Sequence, residues 1–407
     1  MNRKLTIGMS LSLSGSYAAM GRQAEAGLAL FVKDINAGGG LAIGGDRYEV
    51  ALECHDDGSD RGRCAEIYRS LCFENRADLI FGPYSSRLVR IAAPIAEQAG
   101  MVTINHGGAA DDLYEHKLRM MVGVLSPASD YLKGFARLIS TMKFLRKRIA
   151  IVAARNTFAR EVAAGFESAC AERFAWRRGV RVRLKFNGNV DPDDPPAHLI
   201  AAIARNRINV LVSVGSFGHD VKVMRMIVGR GINLPVLACV AAGVVGFGDE
   251  MGERAEGIVG PSQWEQDAEI DPELGPSSNE FVRRMREHRP DVVCDYPAAQ
   301  AYAAGLLTAT ALKNAESLDQ NRLRAVFSDL RTSTLFGGFA IDRITGRQVG
   351  HQMLLVQWHG GRKVILEPEP RLDVGALEFP SGWRLLMSSF QLFKMSRGKQ
   401  AQDDNPR

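Results

Sequence analysis

The chain has 407 residues, 46% hydrophobic and 24% charged, with a net charge of +5. That is more than one hydrophobic core usually holds, so two domains are expected. No apolar run approaches the ~18 residues of a membrane-spanning helix, and scattered Lys and Arg with no RNP or zinc-finger pattern exclude nucleic acid as an expected partner.

The predicted elements start at once. Leu5, Ile7, Met9, Leu11 and Leu13 alternate with small polar residues, the period of a strand, which ends in the turn Ser14-Gly-Ser16. Ala24, Leu28, Phe31 and Ile35 mark one face of a helix stopped by Gly38-Gly-Gly40. A strand over 48–52 leads into Asp56-Asp-Gly-Ser-Asp60, read as a solvated turn that caps the next helix rather than a calcium loop. That helix carries Cys64, Ile67, Tyr68, Leu71 and Cys72 on one face.

Strands over 77–81 and 101–104 then flank a helix with Leu88, Ile91, Ala92, Ile95 and Ala99 at 3.6 spacing. Each strand runs into a turn of small residues, Tyr84-Ser-Ser86 and Gly107-Gly-Ala109, whose backbone N–H groups are expected to be free for a ligand at the strands' carboxyl ends. A second αβ series follows: a helix over 131–142, strands over 148–153, 180–186, 209–214 and 235–239, and intervening helices. The loop Asp191-Pro-Asp-Asp-Pro-Pro196 is expected to cap the helix over 197–205. Further on come a strand over 257–260, helices over 279–288, 296–313 and 320–329, and a hairpin of strands 338–342 and 353–358 around Asp342–Arg347. The whole is a parallel, doubly wound α/β pattern in two lobes, with a cleft expected between them.

Enzyme signatures are missing. There is no H-E-x-x-H, Walker A or G-x-S-x-G motif, and the 8 histidines are dispersed, so neither catalysis, cofactor nor metal is expected. The six cysteines are read as free thiols, Cys54 with Cys64 or Cys72 being the single disulfide pairing to test. Ser85 and Ser86 fit either a ligand contact or a helix cap, and His106 either a contact or a surface or cap residue. Tyr17, Tyr84, Phe158, Phe217 and Trp264 could wall an apolar site.

The series Gly15-Ser-Tyr-Ala-Ala-Met-Gly21, Asp34-Ile-Asn-Ala-Gly-Gly-Gly40, Asp56-Asp57, Phe81-Gly-Pro-Tyr-Ser-Ser86, Ala92-Ala-Pro94 with Ala99-Gly100, and Tyr296 to Leu312 resembles the type I periplasmic binding fold. Within it the chain is most similar to the leucine/isoleucine/valine-binding branch of ABC-transporter receptors, over residues 5–365. The resemblance implies two Rossmann-like lobes joined by three crossovers: 1–124 with 256–333, and 125–255 with 334–368, followed by an appended tail, 369–407. It implies that Ser86, with Ser85 and Tyr84 beside it, and Gly107, with Gly108 and Ala109, hold a ligand carboxylate, and that Met20, Phe158 and Phe217 lie at pocket positions. Ala109 and Ala241 stand where amino-acid receptors carry a threonine and an acidic residue, so a carboxylate or amide without an α-amine is expected to suit the site, since a buried unpaired ammonium is costly. Partners implied are a small ligand and a permease, or, for a cytoplasmic amide-sensing regulator of the same fold, a regulatory protein. The first strand begins too early for an export signal, so the location is periplasmic if a signal has been lost and cytoplasmic otherwise.

Overall fold

The computed structural model describes residues 3–115, 118–142, 147–174, 180–191, 193, 196–232, 234–367, 376–378 and 384–386. The chain divides into two compact units, Met1–Ala128 with Gln263–Met353, and Ser129–Ser262 with Leu354–Arg407. It therefore passes from one to the other three times, and residues 334–353 stay with unit 1.

Unit 1 opens with β1 (Arg3–Leu11), α1 (Ala18–Ala37), β2 (Leu41–Ile43), β3 (Asp46–Asp56), α2 (Arg61–Phe73), β4 (Leu79–Phe81), α3 (Ser86–Gln98), β5 (Thr103–Asn105) and β6 (Met121–Gly123). Unit 2 carries α4 (Lys133–Thr141), β7 (Lys147–Ala153), α5 (Thr157–Phe174), β8 (Val180–Asn187), α6 (Ala197–Arg205), β9 (Val210–Val214), α7 (Phe217–Gly229), β10 (Val236–Cys239), α8 (Gly246–Met251) and β11 (Val259–Ser262). The chain returns to unit 1 for α9 (Ser278–His288), α10 (Tyr296–Ala315), α11 (Gln320–Asp329), β12 (Thr332–Thr334) and β13 (Gly337–Phe339). It ends in unit 2 with β14 (Leu354–His359) and β15 (Arg362–Glu367), and a short pair, β16 (Ala376–Glu378) and β17 (Arg384–Leu386), lies in the C-terminal stretch.

The unit 1 sheet has the order β2-β3-β1-β4-β5-β6, parallel from β3 to β6. Unit 2 has the order β15-β14-β11-β10-β9-β7-β8, parallel from β11 to β8 and antiparallel through β14 and β15. A parallel sheet covered by helices buries both faces of its strands. Accordingly β9 and β10 are buried throughout, and β1 loses its alternation after Ile7.

Helices lie close against these sheets. Tyr68 and Leu71 of α2 pack with Leu88 and Ala92 of α3 over Ile80 of β4, and the Tyr68 hydroxyl donates to the Phe81 carbonyl at 2.6 Å. α1 and α10 touch backbone to backbone: a Cβ on Gly27 would stand 2.1 Å from the Ala298 carbonyl oxygen, so only glycine fits there.

Several expectations are corrected. The segments 338–342 and 353–358 form no hairpin: β13 pairs with β12, whereas β14 joins β11 and β15. The turn at Asp342 is closed locally by the Ile341–Gln348 bridge and by Thr345 bonding Asp342, a satisfied turn that needs no flanking ladder. Helix α6 has Pro196 at its N-cap position and no side-chain cap among the described residues, Pro192, Asp194 and Pro195 of the preceding loop lying outside them. Asp60 does cap α2 through the Arg63 N–H, yet Asp57 is fully buried rather than solvated, because the Ser10 and Ser12 hydroxyls donate to it at 2.8 and 2.6 Å. All six cysteines are free. The 369–407 tail falls, apart from β16 and β17, outside the described residues.

Candidate functional site

In unit 1 the site residues gather at the carboxyl ends of β4 and β5, neighbours through Ile80–Thr103 and Phe81–Ile104. Ser85 sits before α3 with φ 96°, a left-handed conformation that costs a non-glycine residue energy and so points to a site under constraint. Its N–H donates to the Gly107 carbonyl at 3.0 Å, its own carbonyl accepts from Leu88 and Val89, and its hydroxyl is buried with no partner among the described residues. Two turns are thereby pinned together while one hydroxyl is left over.

The neighbouring groups are already engaged, which corrects the expectation of free N–H donors. Asn105 folds over its own turn: its Oδ1 accepts from Gly108 N at 2.9 Å and Gly107 N at 3.3 Å, and its Nδ2 donates to the Gly108 carbonyl and the Tyr114 hydroxyl. Ser86 accepts from the Ala110 N–H at 3.0 Å. Gly107 has no room for a side chain, since a Cβ would lie 2.3 Å from the Pro83 carbonyl oxygen. Ala109 is buried, and its carbonyl accepts from Ala128 N at 2.7 Å.

His106 is fully buried, with both ring nitrogens unpartnered among the described residues, and burial pushes its pKa down to about 4, so the ring is neutral at pH 7. It is neither a surface nor a cap residue. The Tyr84 hydroxyl meets the Tyr296 hydroxyl of α10 at 2.5 Å, and the Tyr17 ring lies 6.3 Å from that of Tyr84. Met20 is half-buried on α1. Trp264 belongs to the core: it packs edge-on to Phe281 and donates to the Leu335 carbonyl at 3.0 Å.

Sequence reasoning missed Gln300. One turn beyond Tyr296, it is fully buried with neither amide atom partnered among the described residues. A glutamine among alanines in the first half of the run Tyr296–Ala315 was the available signal.

In unit 2, Phe158 is half-buried near the start of α5 and packs edge-on to Tyr131 at 5.3 Å. Phe217, half-buried, opens α7 behind the Ser216 cap. Ala241 is buried after β10, and its N–H donates to Asp220 Oδ2 at 3.0 Å. Asp220, also missed, is fully buried and accepts from Ser213 Oγ at 2.7 Å, and burial raises its pKa to about 7. Its legible mark was an acid in the first turn of a helix between buried strands. Among the described residues no three His, Cys, Asp or Glu side chains gather as a metal site, and no helix is long and apolar enough to cross a membrane.

Two doubly wound α/β units, and a chain that passes between them three times, define the class of two-lobed α/β proteins. The sequence matches the profile described as periplasmic binding protein over residues 4–363, and the chain belongs to that family. It is 29% identical over 163 residues to "Leu/Ile/Val-binding protein homolog 7" of Brucella melitensis, covering 40% of this chain and 38% of that protein. The match thus spans well under half the length of that curated relative. A substrate-binding protein of an ABC transporter from Desulfitobacterium hafniense, solved in complex with Leu, superposes with TM-score 0.73 at 18% identity, covering 89% of this chain and 100% of that one. The solute binding protein of an R. palustris ABC transporter, solved with benzoate, gives 0.71 at 20% identity over 89% and 95%. Both likenesses establish the type I periplasmic binding fold.

Proposed function

We propose that this protein is the solute-binding receptor of an ABC importer, acting in the periplasm, without catalysis, and taking a small carboxylate- or amide-bearing solute: a branched-chain amino acid or a related compound. The observation that carries the reading is the Ser85 hydroxyl, buried and unpartnered at the end of β4 in a strained backbone. A buried hydroxyl with no partner costs about 1–3 kcal/mol, which a ligand oxygen would relieve. Gln300, with two unpartnered amide atoms, supplies a donor and an acceptor in the same unit. Tyr84, Ser86, Gly107, Gly108, Ala109 and Met20 of unit 1, and Phe158, Phe217 and Ala241 of unit 2, complete the proposed ligand contacts.

Ser85 is the proposed anchor, because its hydroxyl is buried with no partner among the described residues, while the Ser86 hydroxyl, which accepts from the Ala110 N–H, keeps its own O–H to donate beside it. The relatives' names favour leucine, isoleucine or valine, and the benzoate complex of a neighbour favours aromatic carboxylates. No carboxylate stands on the Val240–Gly243 loop to meet an α-ammonium, which inclines the choice to solutes without one.

Thermal-shift measurement against leucine, valine, benzoate and short aliphatic amides tests the reading. A solute at a hundred times its Kd should stabilise the protein by about 2.7 kcal/mol, and Ser85→Ala should remove the shift. No shift with any of these solutes, or a shift untouched by Ser85→Ala, would sink it.

A further inference from the structure

We propose that the groove between α2 and α3 is a docking surface for an acidic, apolar-faced segment of a partner protein. The groove, about 500 Å³, is lined by Arg61, Ala65 and Arg69 of α2 and by Arg90, Ile91 and Pro94 of α3, and its lining contains no acidic residue. Arg90 is committed to Asp112 through bonds of 2.6 and 3.0 Å. The exposed Arg61 and Arg69 guanidiniums have no hydrogen-bond or ion-pair partner among the described residues.

Those two cations are eight residues apart on one helix, roughly 12 Å along its axis. Between them the floor is apolar: Ala65 and Ile91 are half-buried, and Ile95 is buried. Four residues beyond Arg69, on the same face, Phe73 is 54% exposed. The ridge therefore reads cation, methyl, cation, aromatic, which asks for two carboxylates about 12 Å apart with apolar side chains between them.

Charge complementarity selects this occupant over the others. A second copy across a two-fold axis would set Arg61 and Arg69 against their own duplicates, a like-charge contact that disfavours association. A flat lipid surface would meet the guanidiniums but not the recessed Ile91 and Ile95. A small inorganic anion would bridge neither the spacing nor the apolar floor.

The probe is a fluorescent helical peptide of about 20 residues, long enough to hold its helix, with two glutamates eight positions apart and leucine and alanine between them. Its anisotropy is followed on titration with the full chain. The proposal expects binding that weakens with salt, a loss of at least about tenfold for the double variant R61E/R69E, and recovery when the probe's glutamates become lysines. If the double variant fails to keep the wild-type far-UV spectrum, Arg69→Gln is read instead, with a smaller loss expected. Equal binding of a glutamine probe, or no loss in either variant, overturns the proposal. Concentration-dependent dimerisation abolished by R61E/R69E would assign the groove to a second copy and overturn it too, as would binding confined to phosphatidylserine vesicles or to inorganic phosphate. Solute-induced thermal shifts report the separate receptor reading and are expected to survive in R61E/R69E.

Discussion

At Ser85 a left-handed backbone and an unpartnered hydroxyl coincide, whereas the hydroxyl of Ser86 next to it already accepts one bond, from the Ala110 N–H. Neighbours of one residue type can thus differ in role because one points its oxygen into the Ala110 turn and the other does not. The same scale holds two buried titrating groups of opposite effect. His106 has its pKa lowered to about 4, so the folded state binds fewer protons than the unfolded one and stability is lost as pH falls below ~6.5 toward 4. Asp220 has its pKa raised to about 7, so stability is full below the unfolded value of ~3.9 and is lost as pH rises toward 7. Between pH 7 and 5 each contributes about 2 kcal/mol, with opposite signs. With His219 and His288 also held below the ordinary histidine value by burial, wild type should lose stability toward pH 5 less steeply than a variant without Asp220. Asp220→Asn should lose more stability than wild type as pH drops to 5, and His106→Phe less, both read from denaturant midpoints. A wild-type curve as steep as that of Asp220→Asn would contradict this balance.

Elements were legible where their pattern was strong and local. The 3.6 spacing of Leu88 to Ile95 located α3 because one face of it meets the core, and the alternation of apolar and small residues from Leu5 to Leu11 located β1 although both of its faces are buried from Ile7 on. The pairing of β13 and β14 was not legible, since which strand a short segment joins is decided by distant partners: β14 is claimed by β11. The engaged N–H groups of Gly107 and Gly108 were missed for a related reason, as Asn105 reads as an ordinary strand residue until its side chain is seen folding over the turn. Packing between elements gives a firm expectation at Gly27. Ala in its place would drive a methyl into the Ala298 carbonyl and force α1 from α10, at a cost of about 1–3 kcal/mol measured by chemical denaturation. Tyr68→Phe, which strands the buried Phe81 carbonyl, should cost about 1–3 kcal/mol in the same assay.

For the whole molecule, the two-lobed α/β class could be read from the order of strands and helices, and short pieces such as Asp34–Gly40 and Phe81–Ser86 carried the resemblance. The partnered state of each site group could not, because it depends on side-chain directions. Since α1 packs on α10 through Phe31 and Tyr302, unit 1 is incomplete without its second segment. A fragment of residues 1–128 should show no cooperative melting transition by circular dichroism, and adding 263–353 in trans should restore one; a sharp transition in the first fragment alone would refute this. The seating of β14 between β11 and β15 has a consequence for how the protein is made. When β11 leaves the ribosome its outer edge waits, unpaired, until residue 354 is translated, roughly 5–20 s later at 5–20 residues per second. During that interval the nascent chain presents an open strand to every other chain nearby, the period in which a holding chaperone would matter most to its yield.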